Sequence, residues 1–244
     1  MKKTFLATSI LSTLLMAGSA NAAMLTVANG NFSGQLDFSG TITDTTPIWM
    51  WEIPEATKNA ATGWIVDVRN GVAVDSNTTW TFPSKPALNL IQGFMKYPIS
   101  EGAIGVTPLI KVGPIDSATT LDGTLQTITL VANGKDISDG DVAAGEMALK
   151  VQGFLGGIYN NGQKFGAVEA QTVIANQDNF STNYPTLVNG TGSFSEAETE
   201  FTKTENKNLS GGYLVRISDY SLTFPTNSIP ATWNTIIPVT VTMK

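Results

Sequence analysis

The sequence has neither cysteine nor histidine among its 244 residues. Together these absences exclude Ser-His-Asp and Cys-His nucleophilic catalysis, and any zinc site built on His or Cys. Stability has to come from chain packing or from a partner, with no disulfide to help. Charge is scarce as well: only 14% of residues are Asp, Glu, Lys or Arg, and acids outnumber bases by 20 to 14. A net charge of −6 opposes nucleic-acid binding, which depends on cations neutralising phosphates. There is no Walker loop and no dinucleotide fingerprint. The chain therefore reads as a non-enzyme with no cofactor, no metal and no nucleic-acid partner.

Long hydrophobic runs are also missing after the first few residues. Lys2 and Lys3 precede an apolar stretch from Phe5 to Met16, and Gly18-Ser19-Ala20-Asn21-Ala22 supplies small residues in an A-x-A pattern. The stretch is about 12 residues, short of the ~20 that cross a bilayer. Residues 1–22 are thus predicted to be a signal peptide cleaved after Ala22. Cleavage removes two lysines and no acid, which takes the net charge to about −8. The remaining ~222 residues suffice for one large all-β domain.

From residue 23 the chain reads as strands and turns. Residues 32–42 alternate, with Phe32, Leu36, Phe38 and Ile42 on one face and Gly34 and Gly40 interspersed. Further strands are predicted at 48–53, 63–68, 78–82, 87–94, 109–112, 125–131, 147–154, 212–217, 221–224 and 235–243. Asp122-Gly123, Asn133-Gly134, Asp139-Gly140, Asn161-Gly162 and Asn189-Gly190 are read as turns between them. Residues 164–176 fit either a short helix or a loop. This spacing points to a β-sandwich. Trp64, Trp80 and Trp233 are expected in the core. Trp49 and Trp51 stay ambiguous, because Ile48 and Met50 make both faces of that strand look covered.

Glu196, Glu198 and Glu200 alternate, and on a strand they would share one face. That constellation could be a glycosidase-type carboxylate pair or a solvated, charge-protected edge, and the second reading is preferred. Asp136-Ile137-Ser138-Asp139-Gly140-Asp141 lacks the spacing of a calcium loop and reads as ordinary turns. At the C-terminal end Ile237, Val239, Val241 and Met243 alternate with polar residues or proline, so an apolar face runs where chains usually fray.

These two ends carry a resemblance. Phe32-x-Gly34-x-Leu36-x-Phe38-x-Gly40-x-Ile42, Trp49-x-Trp51-Glu52, Lys85-Pro86, Pro108-Leu109-Ile110 and Trp233 before Pro238-Val239-x-Val241 are similar to chaperone–usher fimbrial subunits of Gram-negative bacteria. Within that group the chain most resembles the kappa-class (FaeG-like) major-subunit adhesins, whose lack of cysteine it shares. The resemblance implies an immunoglobulin-like β-sandwich that is an incomplete pilin fold, completed by a donated strand. It implies residues 23–39 as an N-terminal extension and 40–244 as the pilin domain. Phe32, Gly34, Leu36 and Phe38 would form the donor strand, with Gly34 at the donor-strand glycine. Ile237, Val239, Val241 and Met243 would form the strand that meets a periplasmic chaperone.

Other implied partners are an outer-membrane usher, neighbouring subunits and a host glycoprotein or glycolipid receptor. The implied location is a surface fimbrium reached through the periplasm. With both termini committed to assembly, receptor contacts are expected within 153–211, at exposed aromatics such as Tyr159 and Tyr184. The alternatives are a minor subunit or adaptor without a receptor site and, remotely, a secreted glycoside hydrolase using Glu196 and Glu198.

Overall fold

Alternating burial organises the molecule strand by strand. The computed structural model describes residues 47–244, which belong to one compact unit. In chain order the elements are β1 (Trp49–Glu52), α1 (Glu55–Ala60), β2 (Val72–Val74), β3 (Asn77–Thr81), β4 (Leu88–Met95), β5 (Ile99–Glu101), β6 (Pro108–Val112) and β7 (Thr119–Thr120). They continue with β8 (Gln126–Lys135), β9 (Gly145–Tyr159), β10 (Gln163–Gly166), α2 (Val168–Ile174), α3 (Phe180–Asn183), α4 (Phe194–Thr202), β11 (Lys207–Pro225), β12 (Thr232–Thr235) and β13 (Val239–Met243).

The large sheet runs β1-β4-β11-β9-β8-β12, with β2, β3, β5 and β10 attached to it, and a small sheet runs β13-β6-β7. Every ladder is antiparallel. The architecture is the expected all-β sandwich, with short helices added.

β8 shows how sequence becomes layer. Ile128, Leu130 and Ala132 are buried, whereas Thr127, Thr129 and Val131 face solvent. On β9 and β11 the inward residues include Met147, Leu149 and Val151 opposite Leu222 and Ile217. Small residues matter where layers touch: a Cβ on Gly93 would overlap the ring of Trp51, its cross-strand partner. α2 packs on the other face of the large sheet, where Ile158, Ile174 and Tyr184 form a second small core. The predicted helix-or-loop at 164–176 is thus a helix over its central part.

Several sequence expectations change. Residues 63–68 form no strand: the segment has no ladder partner among the described residues and ends in a 3-10 turn, Val68–Asn70. Asn133-Gly134 is not a turn but lies inside β8, opposite Asn234 and Trp233 of β12. The chain reverses instead at 136–140, where Asp136 Oδ1 accepts hydrogen bonds from the amides of Ser138 and Gly140. Strands 212–217 and 221–224 fuse into β11, with a register shift between Ser218 and Ser221 and Asp219 at φ 52°. The predicted strand 235–243 splits into β12 and β13 around Pro238, which has no amide to donate to a ladder.

The glutamate trio is on a helix, so the three carboxylates do not share a strand face. Ser193 caps α4: Glu196 N–H donates to Ser193 Oγ, and Ser193 N–H donates to Glu196 Oε2 at 2.6 Å. Ala197 and Phe201, four residues apart, are fully buried beneath it. Trp49 and Trp51 stack on each other at 5.4 Å and join an aromatic cluster with Phe201, Phe165 and Tyr213. Trp80 is buried, and Trp64 and Trp233 are half-buried against the same core. Phe201→Ala should lower stability by about 3–5 kcal/mol, measured by urea unfolding.

Candidate assembly groove and C-terminal edge

The core of the sandwich is not closed on all sides. A cavity of about 840 Å³ opens onto it, floored by Leu88, Leu90, Leu149, Ile217, Leu222 and Phe224. One wall is the extended segment 63–66, which turns Trp64 and Val66 partly inward and leaves Ile65 90% exposed. The other wall is the stretch 232–237, which contributes Trp233, Thr235 and Ile237.

Backbone pairing along these walls is incomplete. Among the described residues, 63–66 donate no backbone hydrogen bond to another strand, β12 pairs only with β8, and β13 pairs only with β6. A wall whose amides and carbonyls find no partner among the described residues, beside an apolar floor, suits a peptide strand better than a small rigid molecule.

The walls are held by aromatic packing and side-chain hydrogen bonds. Trp64 donates its indole N–H to the carbonyl of Ala60 at 2.6 Å and lies edge-on to Tyr220. Phe82 lies between Trp64 and Trp233, with ring centroids 5.0 and 6.1 Å away. Trp80 donates to the carbonyl of Asp67, which ties the end of the segment to β3.

The sequence-predicted residues fall as follows. Ile237 lines the groove but lies outside a strand. Val239, Val241 and Met243 lie on β13, opposite Val112, Ile110 and Pro108. Val239 and Val241 are half-buried and Met243 is 41% exposed, so this face is only partly covered. Phe32, Gly34, Leu36 and Phe38 lie outside the described residues. The sequence reading missed the groove wall at 63–66, although its predicted strand there was the signal: the alternation is real and no ladder partner occurs among the described residues.

The two receptor candidates separate. Tyr159 is half-buried, with its ring 5.4 Å from Phe165. Tyr184 is only 2% exposed, which corrects the expectation that it is a surface residue. Its hydroxyl donates to the carbonyl of Asn208 at 2.8 Å or to Ser210 Oγ at 2.7 Å. Burial pushes its pKa up to about 12, with the Ser210 hydrogen bond acting the other way. Gln177 completes the network by donating to the carbonyl of Met95 and to Ser210 Oγ. These polar groups anchor the loop after α2 to β4 and β11.

The carboxylates are spent on structure. Glu196 is held below the usual range by the Ser193 backbone N–H and then by its hydroxyl. Glu198 pairs with Lys244, and Glu200 pairs with Lys203 at 2.6 Å. No group of three or more His, Cys, Asp or Glu capable of holding a metal occurs among the described residues. Tyr184→Phe should lower unfolding stability by about 1 kcal/mol, the usual worth of a buried hydrogen bond, in a urea titration.

No curated protein is a significant match to the sequence. A family model described as the major and minor subunits of K88-type fimbriae matches residues 1–153. The matched span takes in the first part of the groove, from the 63–66 wall to the floor of β4 and β9. The chain belongs to the K88-type family of chaperone–usher fimbrial subunits.

Proposed function

We propose that this fimbrial subunit polymerises by donor-strand exchange, residues 32–38 of one copy filling the groove of the next. The open, apolar groove between 63–66 and 232–237 is the observation that carries this reading. Phe32, Leu36 and Phe38 would enter the floor with a period of two, and Gly34 would take the position that admits only a hydrogen atom. Burying three such side chains contributes about 5–9 kcal/mol before ordering costs. A one-residue slip would turn all three outward, so the register is strongly specified.

Before assembly, the exposed edge of 237–243 is where a periplasmic chaperone strand pairs, along Ile237, Val239, Val241 and Met243. Residues 1–22 direct export, and an outer-membrane usher receives the subunit. Deleting residues 23–39 should give a chaperone-bound subunit that forms no fibres by electron microscopy. Placing that segment after Lys244 on a short linker should give a stable monomer. Fibres from the deleted chain would refute strand exchange through this segment.

Adhesion to host-cell glycoconjugates is the second role in this reading, with contacts in 153–211. Tyr159 is the retained candidate, because it is partly accessible beside the 160–162 turn. Tyr159→Ala should weaken binding of fibres to receptor-bearing cells while fibre yield stays normal. Unchanged cell binding would remove Tyr159 from the receptor site.

A further inference from the structure

Asn-Gly pairs are reactive points in a polypeptide, because the unshielded amide nitrogen of glycine can reach the side-chain carbonyl carbon of the asparagine before it. Four such pairs lie among the described residues: Asn70-Gly71, Asn133-Gly134, Asn161-Gly162 and Asn189-Gly190. All four asparagines are exposed, so the backbone decides between them. Gly71 N–H donates to the carbonyl of Val68 at 3.2 Å, and Gly162 N–H donates to that of Tyr159 at 3.0 Å. Asn133 and Gly134 are held extended in β8 by β12. At Asn189, by contrast, neither the backbone, the side chain nor the N–H of Gly190 makes a hydrogen bond among the described residues. Its neighbours are anchored on both sides. Val188 N–H donates to the carbonyl of Gly162 at 2.9 Å, and the Val188 carbonyl accepts from Lys164 N–H at 3.0 Å. The Gly190 carbonyl accepts from Gln171 Nε2 at 2.8 Å.

We propose that Asn189 is a spontaneous modification site, selected by the fold, that deamidates to aspartate and isoaspartate. Gly190 is fixed through its carbonyl and presents a nitrogen with no acceptor, while the unbonded Asn189 side chain is free to turn towards it. The nitrogen loses its proton to solvent base and attacks Asn189 Cγ. The new N–Cγ bond forms, the Cγ–Nδ2 bond breaks, and ammonia leaves with that electron pair and a proton from water. Water then opens the succinimide ring at Cγ to give aspartate, or at the main-chain carbonyl carbon to give isoaspartate; nothing is oxidised or reduced. Residues 185–192 carry no charged side chain, and Leu187 and Val188 are 42% and 51% exposed. Either product thus puts a negative charge on a neutral, partly apolar loop. Isoaspartate also routes the main chain through the Cβ methylene and lengthens it. Gly190 has no room for that change: a Cβ there would come within 2.1 Å of the Lys164 carbonyl oxygen. The longer chain pulls the Gly190 carbonyl from Gln171 and loosens the loop from α2.

Purified fibres are aged at mildly alkaline pH, where the amide nitrogen loses its proton more readily, and then digested. Mass spectrometry with fragmentation that separates aspartate from isoaspartate follows each Asn-Gly pair over time. Deamidation at 189 should run about fivefold faster than at 70 and 161, the factor that one hydrogen bond on the attacking nitrogen is worth. Position 133, held in a ladder, should be the slowest. The same protein unfolded in guanidinium should lose this order, with the four sites reacting at similar rates. A rate at 189 equal to or below those at 70 and 161 in fibres would overturn the proposal. So would a preference for 189 that persists after unfolding, because the local sequence and not the fold would then set it.

Discussion

Backbone polar groups need partners, and among the described residues the segment 63–66, beside an apolar cavity, is where a strand's worth of them finds none. The floor of the groove is the inner face of the large sheet, built from residues such as Leu88, Leu149 and Leu222. A sandwich covers such a face with a second layer, and among the described residues this face is bordered by α1, the segment 63–66, which pairs with no strand, and the stretch 229–237. Among the described residues 63–66 has no backbone partner and borders the cavity, so an added strand would pair with it and fill the cavity at once. The assembly proposal depends on that single deficit.

The rest of the molecule is closely packed. β9 and β11 are long, adjacent and central, and their close neighbours Gly156, Gly157, Gly211 and Gly212 allow a helix and aromatic rings to approach the sheet. Gln171 donates to the carbonyls of Phe165, Gly166 and Gly190 and so fastens α2 to the loops beside it. Tyr184, Ser210 and Gln177 fasten the loop that follows. Buried hydrogen bonds thus tie the sheet to its helices on one face, and aromatic packing fills the other.

A prediction such as burial of Tyr184 illustrates what one-dimensional reading cannot reach. Tyrosine in a polar, glycine-rich stretch looks like a surface residue, and only the fold of 175–184 over β11 turns it inward. The glutamates at 196, 198 and 200 fail for a related reason. Their alternation matches a strand, but the capping signal Ser193-x-x-Glu196 and the spacing of Ala197 and Phe201 match a helix, and the buried face decides. The paired Asn133-Gly134 looked like a turn because that dipeptide tolerates positive φ, yet β12 pairs across it and keeps it extended.

The sequence by itself determined the chemistry that is excluded, the all-β class and the positions of most long strands. It did so because the absence of histidine and cysteine is absolute, and because period-two burial leaves a direct trace in residue order. It also marked the ends, where apolar alternation at 32–42 and 237–243 stands out from the polar background. Only the tertiary structure decided which alternating segments found partners. Residues 63–68 and 78–82 read alike as strands, but hydrogen bonding is a property of two segments together, and β3 has β11 beside it whereas 63–66 has a cavity and no strand among the described residues.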